Sequence, residues 1–152
     1  MNYLSIDIEA TGLNQNDYII EFAMVPFSAQ ENKIHHDLCF HRYLKCPSFE
    51  ILEPKLNDWV VEHNENLIRK ASSDGITISS FKKDLENYLL REKVSNLFNF
   101  PNDKIIIFGK SLNSIDLPFL TRDLSWDFMR TYFHHQVVDL SSTVRSLIDL
   151  KI

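Results

Sequence analysis

The sequence is poor in glycine, cysteine and positive charge, and each shortage narrows the class of protein. Three glycines and five prolines among 152 residues argue against a low-complexity or disordered chain. The two cysteines, Cys39 and Cys46, are too few for a disulfide framework and form no CxxC pair. They are typical of reduced thiols, so we expect a cytoplasmic compartment.

Long apolar runs and an excess of basic residues are also missing. No run approaches the roughly 20 apolar residues of a membrane span. The first residues lack a basic segment followed by an apolar one, so we expect neither a signal peptide nor a membrane partner. The formal net charge of −5 counts against a protein that passively coats DNA or RNA. It does not exclude a metal-bridged active site, because bound metal ions supply positive charge locally.

The chain does have enough apolar residues for one core, since 44% of its residues are hydrophobic and 11 are Phe. Periodicity predicts strands over residues 3–8, 18–27 and 33–44, and helices over 59–71 and 77–97. A strand over 104–108, a helix over 114–122 and a strand over 133–138 follow, before a helix capped by Asp139. No linker interrupts this order. We therefore expect one α/β domain over residues 1–152, a mixed sheet flanked by helices.

Two carboxylates stand out in the first predicted strand. Side chains at i and i+2 leave the same face of a strand, so Asp7 and Glu9 project together. Adjacent carboxylates repel unless a cation lies between them, and a hard divalent metal with oxygen ligands is the usual solution. Gly12, just after the pair, indicates a turn built for close backbone approach. The alternative is an edge strand whose acidic face is simply solvated.

Two further carboxylates are ambiguous from the sequence alone. Glu21 lies inside the second predicted strand, which its apolar run predicts to be buried on both faces. We interpret Glu21 as a structural carboxylate bonded to backbone or hydroxyl groups rather than as a metal ligand. Asp116 lies near the start of a predicted helix, where the helix dipole favours an acidic residue. The position of Asp116 therefore fits a helix start as well as a functional site.

Two segments, taken in order, resemble known motifs. Residues 5–13 read SIDIEATGL, and residues 109–120 read GKSLNSIDLPFL. The first satisfies every fixed position of the D-x-E-x-T-G motif of the DEDD 3′–5′ exonucleases. The second resembles their G-K-N-x-x-x-F-D-x-P-F-L motif, with Ser111 in place of Asn and Ile115 in place of Phe. The resemblance extends over about residues 2–150. This ribonuclease-H-like superfamily includes oligoribonuclease, RNase T and polymerase proofreading domains.

The resemblance implies a ribonuclease-H-like fold and a metal-dependent exonuclease that releases nucleoside 5′-monophosphates from 3′ ends. It implies that Asp7, Glu9 and Asp116 are catalytic and hold two divalent ions, Mg²⁺ or Mn²⁺, roughly 3.5–4 Å apart. Single-stranded DNA or a short oligonucleotide is the expected partner, because the chain has few basic residues to follow a duplex.

The turn after the first strand has an implied role as well. By the same resemblance, Thr11, Gly12 and Leu13 contact the 3′-terminal nucleotide. Their backbone amides would meet the terminal sugar, and Leu13 would wedge against the last base. The residues alone leave a second interpretation of Leu13, which is simple packing within the turn.

The third motif of the family is missing. It supplies a fourth Asp and a His or Tyr general base on a C-terminal helix, and we expect that helix to be absent from these 152 residues. No Y-x-x-x-D follows Asp116. His134 and Asp139 form an H-x-x-x-x-D, but the two valines before Asp139 favour a strand end followed by a helix cap.

Several explanations of the missing motif stay open. The sequence could be a piece of a longer exonuclease, or another subunit of a homo-oligomer could supply the base and the fourth ligand. Alternatively, the domain has lost catalysis and acts as a nucleic-acid- or protein-binding module. A different two-metal phosphohydrolase acting on nucleotides is a weaker alternative.

Overall fold

The computed structural model describes residues 1–151 and has a six-stranded mixed sheet at its centre. The strands are β1 (Asn2–Ala10), β2 (Ile19–Ser28), β3 (Lys33–Ile34), β4 (Phe40–Tyr43), β5 (Ile107–Gly109) and β6 (Val138–Asp139). Their order is β3-β2-β1-β5-β6, and β4 also pairs with β2. β1 runs antiparallel to β2 and parallel to β5. The first strand is therefore central.

Seven α-helices accompany the sheet in the described part of the chain. They are α1 (Phe49–Leu52), α2 (Asp58–Asp74), α3 (Ile78–Leu89), α4 (Glu92–Phe98), α5 (Asp116–Leu124), α6 (Trp126–Tyr132) and α7 (Leu140–Asp149). Side-chain caps fix several starts: Asn57 accepts from the N–H of Val60 and Thr77 from that of Ser80. Among residues 1–151 no helix is long and apolar enough to cross a membrane.

The main core lies against one face of the sheet. Buried side chains of β1 and β2, such as Leu4, Ile8 and Phe22, pack with side chains of α3, α4, α5 and α6. Burying one such side chain stabilises the fold by about 1.5–3 kcal/mol. A smaller cluster lies beneath α1 and α2. Because Leu4, Ile6 and Ile8 point into the core, the alternate residues of β1 face the opposite side.

Most of the element order expected from the sequence is confirmed. β1, β2 and α2 form within a few residues of their predicted bounds, and Gly75 ends α2. The predicted third strand is wrong in one respect, because it divides into β3 and β4. Residues 36–38 form a 3-10 turn between them. Both short strands pair with β2, which is long enough to hold both.

The long helix predicted over residues 77–97 is also two helices. α3 ends before Leu90, and Arg91 has an extended backbone before α4 begins. Val94 and Phe98 are out of phase with the buried positions of α3, of which Leu89 is the last. The break between the helices rotates α4 relative to α3, so that the buried side chains of both helices face the core.

Three further expectations need correction. β2 is buried on one face and half-buried on the other, not buried on both. The predicted strand over 133–138 pairs only at its ends, because the ring nitrogen of His134 accepts the N–H of Gln136 and turns the chain locally. Finally, α6 was not predicted, although the Ser125 hydroxyl that caps it by accepting from Phe128 is a readable signal.

Candidate active site

Asp7 and Glu9 lie on β1, on the face of the sheet away from the main core. In the antiparallel pair with β2, Asp7 is opposite Ala23 and Glu9 is opposite Glu21. Directly opposed side chains on antiparallel strands lie about 4.5–5.5 Å apart at Cβ, so Glu21 joins the same acidic surface. Three carboxylates therefore share this end of β1 and β2.

Asp116 reaches this surface from the start of α5. Its side chain is 4% exposed, and its Oδ1 accepts the backbone N–H of Ile8 at 3.1 Å. The N–H of Leu4 donates to the carbonyl of Ile106, so the N–H of Ile8, four residues along the strand, faces the same side. β5 ends at Gly109, so no residue of β5 pairs with β1 at Ile8. The Asp116 side chain accepts the β1 N–H there instead. The structure thus joins two segments that are far apart in the sequence.

Burial raises the pKa values of Asp7, Glu9 and Asp116, and neighbouring carboxylates add to the rise. Partial burial raises the pKa of Asp7, and the charge of Glu21 adds to the rise. Burial likewise raises the pKa of Glu9, with further contributions from Asp7 and Glu21. Burial raises the pKa of Asp116 to about 6, and nearby charges, first that of Asp7, reinforce it. A cation bound among these groups would favour their ionised forms and lower these pKa values.

The donor set suits a hard divalent cation. Asp7, Glu9 and Asp116 offer only carboxylate oxygens, the ligands that Mg²⁺ and Mn²⁺ favour. Within residues 1–151 no three His, Cys, Asp or Glu side chains already converge on one point. The carboxylates nevertheless fit the metal chemically, because all three offer hard oxygen donors and lie at one end of β1.

Glu21 has a different partner from the one expected. Its Oε1 lies 2.5 Å from Nε2 of His41, not against backbone or hydroxyl groups. His41 is on β4, where it is opposite Ala23. The row Asp7, Ala23 and His41 therefore crosses three strands. Sequence analysis did not single out His41, and the only signal would have been the pairing register of β4.

The turn after β1 is held by its own side chains. The buried Thr11 hydroxyl accepts the N–H of Tyr18 at 2.9 Å, and the Thr11 N–H donates to the Tyr18 carbonyl at 2.9 Å. Asp17 accepts the N–H of Asn14 at 2.7 Å. The Thr11 side chain thus organises the turn. Leu13 is 77% exposed, so packing within the turn does not account for it.

Gly12 packs closely against the side chain of Asp17 in this turn. A Cβ built on Gly12 would lie 2.4 Å from Oδ2 of Asp17 and 2.8 Å from its Cγ. We expect Gly12→Ala to displace Asp17 and to lower the free energy of unfolding by about 1–3 kcal/mol. Urea unfolding measures the loss. In the Gly12→Ala background, Asp17→Ala should restore part of the lost free energy of unfolding, because it removes the clashing carboxylate. If the double variant instead lost the sum of the two single losses, the clash would be contradicted.

A cavity of about 450 Å³ opens beside the turn, lined by Leu13, Phe119 and Arg122 among others. Arg122 donates to the carbonyls of Gln15 at 2.7 Å and Asp17 at 2.8 Å. Its guanidinium also lies 4.8 Å from the centre of the Phe119 ring. Arg122 therefore ties the turn to α5. Sequence analysis missed it, since nothing in its spacing marks the contact.

Asp139 is a helix cap, as the sequence analysis expected. Its Oδ1 accepts the N–H of Ser142 at 3.2 Å at the start of α7. Although burial opposes it, hydrogen bonds from several backbone N–H groups lower the pKa of Asp139. His134 instead stacks on His135, with ring centres 4.4 Å apart. Within the described residues no hydrogen bond links His134 to Asp139.

This assignment predicts how substitutions of Asp139 behave. Asp139→Ala should lower the free energy of unfolding by about 1 kcal/mol, whereas Asp139→Asn should lose little, because Asn caps helices as well as Asp does. Urea unfolding compares the two variants. If Asp139 were instead the fourth metal ligand of the family, Asp139→Asn would lose Mn²⁺ affinity as strongly as Asp139→Ala.

Comparison with known proteins agrees with this geometry. The RNase T family model, described as "Exonuclease", matches residues 4–150. No curated protein sequence matches the chain. Among solved structures, E. coli exonuclease I with single-stranded DNA has a TM-score of 0.66 and 18% identity, over 99% of this chain and 30% of that one.

Two further nucleases share the fold. Cell-death related nuclease 4 has a TM-score of 0.64 and 16% identity, over 99% of this chain and 48% of that one. The nuclease domain of 3′hExo, a DEDDh family member bound to rAMP, has a TM-score of 0.64 and 15% identity, over 97% of this chain and 70% of that one. The chain spans less than half the length of the exonuclease I and nuclease 4 chains. These likenesses place its mixed sheet and flanking helices among ribonuclease-H-like exonuclease folds.

Proposed function

Because the chain belongs to the RNase T exonuclease family of the DEDD superfamily, we propose that it is a metal-dependent 3′–5′ exonuclease. Its proposed substrates are single-stranded DNA or short oligonucleotides, and its products are nucleoside 5′-monophosphates. One observation carries the proposal: Asp116 bonds to the backbone of β1 beside Asp7 and Glu9. Three carboxylates of raised pKa then lie at the same end of β1, where a strand end would enter.

The proposed roles follow from the site. Asp7, Glu9 and Asp116 would hold two ions of Mg²⁺ or Mn²⁺. When bound, such ions supply an activated water and stabilise the charge on a leaving 3′ oxygen. Asp116 is fixed by the N–H of Ile8, so it offers an oriented carboxylate with little freedom to lose.

The turn would position the strand end. Gly12 and Leu13 follow directly after the hydrogen-bonded Thr11, and their backbone amides would contact the terminal sugar. The exposed Leu13 side chain, beside Phe119, would pack against the last base. Arg122 would preserve this shape by holding the turn against α5.

The end at which cleavage begins tests the proposal. Single strands labelled at the 5′ end should shorten as a one-nucleotide ladder in Mn²⁺, while 3′-labelled strands should release a labelled mononucleotide at once. Chromatography should identify that product as a nucleoside 5′-monophosphate. Internal cuts, or labelled mononucleotide from the 5′ end first, would contradict the proposal, and cleavage of free nucleotides alone would indicate a nucleotide phosphohydrolase.

A second candidate is a catalytically silent binding module with the same fold. It is favoured by one observation: within residues 1–151 no histidine bonds to Asp7, Glu9 or Asp116, and His41 bonds to Glu21 instead. This candidate predicts nucleic-acid or protein binding that Asp7→Ala leaves unchanged. A ladder that disappears in Asp7→Ala would exclude it.

A further inference from the structure

A second groove lies next to the Leu13 cavity, along a neighbouring face of α5. It runs between α5, α6 and the segment before β6, and its volume is about 730 Å³. That volume is within the roughly 300–1,000 Å³ typical of ligand sites in proteins. We call it the Trp126 groove, after the side chain that is 62% exposed at its rim.

The Trp126 groove is positively charged on a negatively charged protein. The chain has 21 Asp and Glu residues, yet none of them lines the groove. Lys104 and Arg130 do line it, and the Nζ of Lys104 is held by the Arg130 carbonyl. Within residues 1–151 neither side chain forms an ion pair, whereas Arg42, Arg69 and others do. The groove is therefore complementary to an anionic ligand.

Flat aromatic groups accompany this charge. Trp126 begins α6, and the Ser125 hydroxyl before it fixes the start of that helix by accepting the N–H of Phe128. The stacked rings of His134 and His135 also line the groove. Exposed rings beside cations are the combination that binds single-stranded nucleic acid, since bases stack on the rings while phosphates meet the cations.

The groove continues from the candidate active site. Pro118, in the first turn of α5, lines both the Trp126 groove and the Leu13 cavity. Asn113 and Leu117, on either side of Asp116 in the chain, line the groove as well. A strand whose 3′ end lies at Asp116 can therefore cross the first turn of α5 and enter the groove.

We propose that the Trp126 groove binds the nucleotides upstream of the 3′-terminal one, with Trp126 stacking on a base and Lys104 and Arg130 contacting phosphates. This inference rests on the proposed function, because that function places a 3′ end at Asp116. It explains how a protein of net charge −5 holds a polyanion: the favourable charge is confined to one groove.

Binding without hydrolysis tests the inference. The full chain is titrated in EDTA with 5′-fluorescein oligothymidylates of two and eight nucleotides, and fluorescence anisotropy gives each Kd. We expect the eight-nucleotide strand to bind more tightly, and Trp126→Leu to weaken its binding by at least about fivefold. Leu90→Ala is the control, because Leu90 is 53% exposed just after α3 and lines neither the groove nor the Leu13 cavity. It should leave the Kd unchanged.

The phosphate contacts have a separate readout. Lys104→Gln and Arg130→Gln should each reduce the slope of log Kd against log salt by about 0.7, the single-strand value for one lost phosphate contact. Equal effects of Trp126→Leu and Leu90→Ala would overturn the inference. So would equal affinity for the two lengths, or displacement of the strand by an octaglutamate peptide of similar charge.

The two failures remain distinguishable. If strands are shortened in Mn²⁺ but the groove variants bind and cleave like the wild type, the inference fails and the proposed function stands. If no strand is shortened, yet the longer strand binds through Trp126 in EDTA, the exonuclease proposal fails and the groove remains a nucleic-acid site.

Discussion

Asp7→Asn should reduce Mn²⁺-dependent shortening of single strands by at least about 10²–10³-fold, since it removes a charged ligand at the reacting centre. The substitution keeps the size and shape of the side chain. It also removes one charge from the cluster that raises the pKa of Glu9 and Asp116. The fold should therefore be retained, and the loss should come from the site itself. Initial rates with a 5′-labelled strand measure the effect.

Glu31→Gln is the matched control for Asp7→Asn. It makes the same change of charge at an exposed turn after β2. Its rate should equal that of the wild type. If Asp7→Asn retained more than about a tenth of the wild-type rate while Glu31→Gln was normal, Asp7 would not be a metal ligand of the reaction.

Asp116→Asn should stabilise the metal-free protein while abolishing strand shortening. Burial raises the pKa of Asp116 to about 6, whereas an unfolded Asp has a value of about 4. Keeping this carboxylate ionised at neutral pH therefore costs the fold up to about 3 kcal/mol. The Asn oxygen can still accept the N–H of Ile8, so the bond to β1 is kept.

The pH dependence gives this prediction its sign. Below about pH 4, Asp116 is protonated in both states and contributes no penalty. Between about pH 4 and pH 6 the unfolded state ionises while the folded state retains its proton, so stability falls as pH rises. Above about pH 6 the penalty is complete. Asp116→Asn should lack this fall.

Thermal unfolding in EDTA from pH 4 to pH 8 measures the effect. At pH 7 the Tm of Asp116→Asn should exceed that of the wild type by about 2–4 °C for each kcal/mol recovered. Adding Mn²⁺ should raise the Tm of the wild type more than that of the variant, because ligand binding stabilises the folded state in proportion to its affinity. If the Tm of Asp116→Asn at pH 7 were at or below that of the wild type, the ionised Asp116 carboxylate would not destabilise the fold.

The sequence was sufficient for the parts of the site that local rules determine. Alternation along a strand placed Asp7 and Glu9 on one face, and the motif order brought Asp116 to them. Capping chemistry explained Asp139 correctly. The placement of Asp7, Glu9 and Asp139 depends on interactions within a few residues of each side chain, whereas Asp116 was placed by the resemblance of its motif.

The contacts that sequence analysis missed depend on how distant segments of the chain pair and pack. Glu21 joins the acidic surface because β2 pairs with β1 in one register, with an irregularity at Glu9 and Ala10. His41 reaches Glu21 only because β4, not β3, pairs with that part of β2. Arg122 holds the first turn across more than a hundred residues of chain. None of these contacts leaves a periodic signal in the sequence.

We infer that Asp7 and Asp116, which come from separate segments of the chain, bind the same divalent ions. Electron paramagnetic resonance of free Mn²⁺ during titration tests it most directly, since the measurement needs neither substrate nor turnover. We expect the wild type and Glu31→Gln to bind Mn²⁺ alike, and Asp7→Asn and Asp116→Asn each to weaken binding by about tenfold or more. Mn²⁺ affinity that is the same in all four proteins would contradict it.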